Sequence, residues 1–116
     1  MSEINESAAV VALRNALDQK FGEDIVVMDL RGVSTIADYF VIATGTSQPQ
    51  LNALAETAEE TLKAHGLVLS HTEGVQAGNW VLLDFGSVIV HLFDKENRQF
   101  YNLERVWGDA KVKPKE

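Results

Sequence analysis

The fold class predicted by the sequence is α/β: one domain, with a mixed sheet of about five strands flanked by helices. Three observations predict it. Two stretches repeat apolar residues at helical spacing, several shorter apolar runs have strand length, and the two kinds interleave in the order α-β-β-α-β-β-β-α. The 116 residues suffice for one domain and are too few for two.

The elements centre on a hairpin. Trp80-Val81-Leu82-Leu83-Asp84 and Val88-Ile89-Val90-His91-Leu92-Phe93 are joined by Phe85-Gly86-Ser87. The first run is apolar at nearly every residue, which predicts cover on both faces and a place inside the sheet. Trp80 opens that run where a strand leaves a polar loop. A large aromatic there either caps the core or waits for a partner.

Ahead of the hairpin, Ser7 fits an N-cap, and Val10, Leu13, Leu17 and Phe21 form the stripe of an amphipathic helix that ends near Gly22. Residues 25–28 make a first strand, closed by Asp29 and an Arg31-Gly32 turn, and residues 39–43 make a second. Ser47-Gln48-Pro49-Gln50 then has capping-box spacing, with Ser47 as N-cap and Gln50 reaching back. Pro49 falls in the first turn, where a missing N–H does little harm. Leu51, Leu54, Ala55, Ala58 and Leu62 line one face of this second helix, and Gly66 ends it. Residues 67–73 make a third strand. After Phe93, the stretch 98–107 carries Phe100, Tyr101, Leu103, Val106 and Trp107, enough for a short helix or two turns. From Lys111 the chain should fray, leaving a domain of residues 1–110 and a basic tail of 111–116.

Composition narrows the function. There is no cysteine, hence no disulfide or thiolate ligand. With a formal charge of −7, nucleic-acid binding would need a local basic patch, and the lysines gather only in the tail. Sequence-specific nucleic-acid contact is therefore not expected. An acidic surface serves solubility or steers the domain towards a basic partner. No apolar run approaches the ~20 residues of a spanning helix, and no signal core is evident, so no membrane contact and a cytoplasmic location are expected.

Catalytic patterns are sparse. His65, His71 and His91 match no zinc spacing, and neither a metal nor a cofactor is expected. His91 alternates with Ile89 and Phe93, which suggests a hydrogen-bonded core or edge histidine. Asp84-Phe85-Gly86 spells the magnesium triplet of kinases without the rest of that signature. Thr44-Gly45-Thr46-Ser47 could cradle an anion, but it lacks a phosphate-loop lysine and serves the helix as a cap. Asp29, Asp38, Asp84 and Asp94 sit at strand ends, where turns want them. No two acids alternate along a strand as a metal-dependent transferase requires, so no catalytic residue is assigned. What remains is an aromatic and acidic group: Trp80, Phe100, Tyr101 and Trp107 with Glu73, Asp84 and Glu104. Core packing explains each aromatic well except Trp80.

Several blocks together resemble the ribosomal silencing factor family, also called Iojap-like. They are Asp38-Tyr39-Phe40-Val41-Ile42-Ala43-Thr44-Gly45-Thr46-Ser47, Glu73-Gly74, Trp80-Val81-Leu82-Leu83-Asp84-Phe85-Gly86, His91, and Arg98-Gln99-Phe100-Tyr101-Asn102-Leu103-Glu104-Arg105-Val106-Trp107. The likeness spans residues 24–110 in order. Ser87 departs from it, since the family often carries an acid after the glycine.

The resemblance implies a nucleotidyltransferase-like fold without catalytic acids. It also implies attachment to the large ribosomal subunit through its fourteenth ribosomal protein, a basic protein on the intersubunit face. Subunit joining is then blocked sterically and translation repressed, and the free protein is expected to be a homodimer. On this reading Trp80 is the partner-binding anchor, with Leu82 and Tyr101 near it and Glu73, Asp84 and Glu104 supplying charge. Two alternatives stay open: a nucleotide-binding or nucleotidyltransferase enzyme using the turn at residues 45–47, and a dimeric protein-binding adaptor.

Overall fold

Among the described residues, nine elements follow one another: α1 (Glu6–Gln19), β1 (Glu23–Asp29), β2 (Tyr39–Thr44), α2 (Gln48–Ala64), β3 (His71–Glu73), β4 (Trp80–Asp84), β5 (Val88–Phe93), α3 (Lys95–Tyr101) and β6 (Lys111–Val112). They come from a computed structural model that describes residues 5–33, 35–74, 80–101 and 111–112. The strands form one mixed sheet in the order β3-β4-β5-β2-β1-β6. β2 and β5 run parallel at its centre, and every other neighbouring pair is antiparallel.

Two differences from the sequence reading concern strand ends. Residues 67–73 were expected as one strand, yet only His71–Glu73 joins the ladder. Leu67 is spent on stopping α2, its N–H donating to the Leu62 carbonyl at 3.0 Å, while its side chain is buried. The expected fraying from Lys111 also needs correction at its first two residues. Lys111 and Val112 pair with Asp29 and Met28, adding a two-residue sixth strand to the expected sheet.

Local chemistry sets the helix starts. Asn5, not Ser7, caps α1: its Oδ1 accepts from the Ala8 N–H at 3.0 Å, satisfying one of the free donors of the first turn. Ser47 caps α2 as expected, its Oγ accepting from the Gln50 N–H at 3.2 Å. Gln50 reaches back one residue further than a capping box requires. Its Oε1 accepts from the Thr46 N–H at 2.6 Å, and its Nε2 donates to the Phe21 carbonyl at 2.8 Å. One side chain thus ties the entry of α2 to the exit of α1.

Both long helices cover the same face of the sheet. Val10, Leu13 and Leu17 of α1 and Leu51, Leu54, Ala58 and Leu62 of α2 pack onto Val27, Tyr39, Val41, Ala43, Val81, Leu83, Val90 and Leu92. The opposite face carries a smaller cluster of Met28, Leu30, Ala37, Phe40, Ile42, Ile89 and Phe93, with Val26, Trp80 and Leu82 packed against it. β2 and β5 are buried at every residue, as a central parallel pair should be. β4 is internal, as its apolar run predicts, but its burial alternates. Val81 and Leu83 lie under the helices, while Trp80, Leu82 and Asp84 on the other face are only half-buried. The expected cover on both faces of this strand is therefore incomplete where the smaller cluster ends.

Candidate functional site

The second face of the hairpin gathers the residues that chemistry singled out. Because strand side chains alternate, residues opposite one another across a ladder share a face. Glu73 pairs with Leu82, Leu82 with His91, and His91 with Ile42, giving one row across four strands. On one side of this row, Trp80 lies opposite Phe93; on the other, His71 lies opposite Asp84 and Asp84 opposite Ile89. Trp80, Leu82, Asp84 and Glu73 accordingly occupy one surface.

Aromatic rings organise its centre. Trp80 and Phe93 stack with centroids 6.2 Å apart and planes 9° from parallel, and Phe93 and His91 stack at 6.1 Å and 6°. Phe40 meets the His91 ring edge-on at 4.7 Å. These separations lie within the range in which ring pairs attract beyond their area burial. Trp80 is the half-buried outer member of this ladder, resting on Phe93 with part of its surface open.

His91 departs from its expected role. It is only 6 % exposed, and neither ring nitrogen has a hydrogen-bond partner among the described residues. Burial accordingly lowers its pKa from 6.5 to about 4, so the ring is neutral at physiological pH. The hairpin register, which sets His91 against Leu82 between two rings, explains the missing partner.

The acids divide by task. Asp84 Oδ1 accepts from the Gly86 N–H at 2.7 Å, so this carboxylate also shapes the β4–β5 turn. Glu73 is exposed, with the His71 imidazole 3.7 Å from its carboxylate. Tyr101 is the last residue of α3, and its side chain lies outside the described residues, as do Glu104 and Trp107. α3 is held on the same side of the sheet by Arg98, whose Nη1 donates to the buried Thr44 Oγ1 at 2.9 Å. Phe93, Phe40 and His91 are the site members that sequence reasoning passed over. The pairing of residues 80, 82 and 84 with 93, 91 and 89 across a three-residue turn was the signal that could have found His91 and Phe93, whereas Phe40 reaches the site through the non-local pairing of β2 with β5.

The turn at residues 45–47 borders a separate open cleft of about 470 Å³, lined by Glu23, Thr44, Gly45, Thr46, Asp94, Lys95 and Glu96. Two of its three backbone donors are engaged within the fold. Gly45 N–H donates to the Phe93 carbonyl, Thr46 N–H to Gln50 and Gln50 N–H to Ser47. Three of the lining side chains are acids, which oppose a phosphate. Among the described residues no group of three or more His, Asp or Glu could hold a metal ion.

Comparison with known proteins shows the family and the fold. The family described as "Ribosomal silencing factor during starvation" matches residues 2–116. A protein of Halalkalibacterium halodurans named "Ribosomal silencing factor RsfS" is 42% identical over 96 residues, covering 83% of this chain and 82% of that one. A mouse protein named "Mitochondrial assembly of ribosomal large subunit protein 1" is 35% identical over 98 residues, which is 82% of this chain and 43% of that one. A crystal structure of a Chromobacterium violaceum protein superposes with a TM-score of 0.83 at 34% identity, covering 92% of this chain and 88% of that one.

Proposed function

Because the chain belongs to the ribosomal silencing factor family, we propose that it docks on the large ribosomal subunit and represses translation by keeping the small subunit away. The docking partner in this reading is the basic fourteenth ribosomal protein of the intersubunit face. The observation that carries it is Trp80, a half-buried indole at the outer end of a ring ladder, with Leu82 beside it and acids at the margin. An aromatic preset on a rigid sheet loses little entropy on binding, and acids around it favour a cationic partner. The name of the mouse relative adds support for the large subunit as the place of action. Action in the cytoplasm, and a homodimer when free, belong to the same proposal. Tyr101 and Glu104 complete the proposed surface from the segment that follows β5.

The decisive experiment is capture of the purified ribosomal protein by the Trp80→Ala variant. Loss of about 2–4 kcal/mol of binding is expected, a thirtyfold or greater drop in affinity. Undiminished capture by a folded variant removes Trp80 from the site. Sedimentation supplies the wider test: the protein should travel with free large subunits and be absent from joined ribosomes. This mechanism needs no catalysis, and the three acids lining the cleft at residues 45–47, with the Gly45 and Thr46 donors already engaged, give the nucleotide-binding alternative little support.

A further inference from the structure

Among the described residues four glycines have a left-handed backbone, Gly66 at φ +89° and three more closely matched: Gly74 at +79°, Gly32 at +81° and Gly86 at +81°. Their surroundings differ. A Cβ built on Gly32 or Gly86 meets nothing within 4 Å. One built on Gly74 would fall inside the van der Waals envelope of the Trp80 carbonyl oxygen, 3.0 Å from the carbonyl carbon and 3.6 Å from the Cα of Val81. The two obstructing atoms, the carbonyl oxygen and carbon, are backbone, so no side chain can swing aside to make room. Gly74 follows Glu73, the last residue of β3, and Trp80 opens β4, so the contact closes the base of the β3–β4 connection.

We infer that Gly74 is a positioning residue for Trp80. Lacking a side chain, it lets the end of β3 lie against the Trp80 carbonyl, and this approach fixes where the indole stands above Phe93. Any L-residue at position 74 must push the first residue of β4 outward. The push acts at the outer end of the ring ladder, whose packing is otherwise set by the β4–β5 register. The consequence for partner capture rests on the reading of Trp80 as the docking anchor; the positioning itself does not.

The matched backbone angles supply an internal control. In a Trp107→Phe background, Trp80 is the only tryptophan and reports on itself. Gly32→Ala carries the same left-handed strain with open space around it, and should keep the parental Trp80 emission maximum, acrylamide quenching and capture of the ribosomal protein. Gly74→Ala should shift the emission, raise the quenching and weaken capture by about tenfold or more. If Gly74→Ala does not fold in dilute buffer, both variants are measured in trimethylamine oxide, which favours the compact state. A folded Gly74→Ala whose Trp80 signals match those of Gly32→Ala overturns the inference, whatever its capture does. A displaced Trp80 with undiminished capture upholds the positioning and instead removes Trp80 from the docking site.

Discussion

His91 is a neutral imidazole pressed between the Phe40 edge and the Phe93 face, with no hydrogen bond among the described residues to favour its cation. Folded, it takes up a proton near pH 4; in the unfolded chain it does so near 6.5. Between those values the unfolded state holds more protons. Its contribution to stability is therefore complete above about pH 6.5, falls as the pH drops, and levels off below about 4. The loss amounts to about 3 kcal/mol. The charged groups sharing its face on neighbouring strands are Asp84 and Glu73, with His71 beyond them at the sheet edge. Lys95, Glu96 and Arg98 lie on α3. Carboxylates add their own acid sensitivity, so the difference between parent and His91→Leu isolates the imidazole. Urea titrations across pH 4–7 should show the variant losing distinctly less stability than the parent, and parallel curves would remove His91 as the cause.

Among the elements, the α1–α2 junction depends on one glutamine. Replacing Gln50 by alanine removes its bonds to the Thr46 N–H and hydroxyl and to the Phe21 carbonyl. The expected cost is about 1–2 kcal/mol, because each of these exposed bonds is worth only about 0.5 kcal/mol net. Ser47→Ala, which loses a single cap bond, should cost about 1 kcal/mol. Thermal melts of the two variants test this order. The same region illustrates what the sequence made legible. Pro49 and the Ser47 cap fixed the start of α2 because these rules depend on a few adjacent residues. The long-range reach of Gln50 to Phe21 was hidden, since nothing local says that two helix ends meet. Elements with strong periodicity, α1, α2 and the hairpin, could be read directly, except that Phe21, expected on the α1 stripe, lies beyond the helix end and is exposed. β3 was overextended because Leu67-Val68-Leu69 is strand-like in composition while its first residue is taken by the helix stop. At the site, Trp80, Leu82, Asp84 and Glu73 do share a face. The ring ladder beneath them was missed because it needs the pairing partners of β4, not its composition.

For the molecule as a whole, charge and shape act at different stages of the proposed encounter. The formal charge of −7 acts over the screening length and so on the rate of approach, whereas the half-buried indole acts only after contact. Raising salt from about 50 to 500 mM should slow association with the ribosomal protein by roughly tenfold or more and leave dissociation nearly unchanged. Stopped-flow binding separates the two rates, and a salt effect confined to dissociation would remove the steering role. Inhibition of subunit joining should rise in proportion to the large subunits occupied, and full inhibition at far fewer than one molecule per subunit would point to turnover instead.

The central parallel pair has a consequence for how the chain is made. Tyr39 lies beside Val88, and Thr44 beside Phe93, so the middle of the sheet is stitched from segments synthesised far apart. While the polypeptide emerges, β2 can zip onto β1, but its other edge stays bare until translation has passed Phe93. Only then can the sheet close, and closure of that long loop is the expected slow step of its folding.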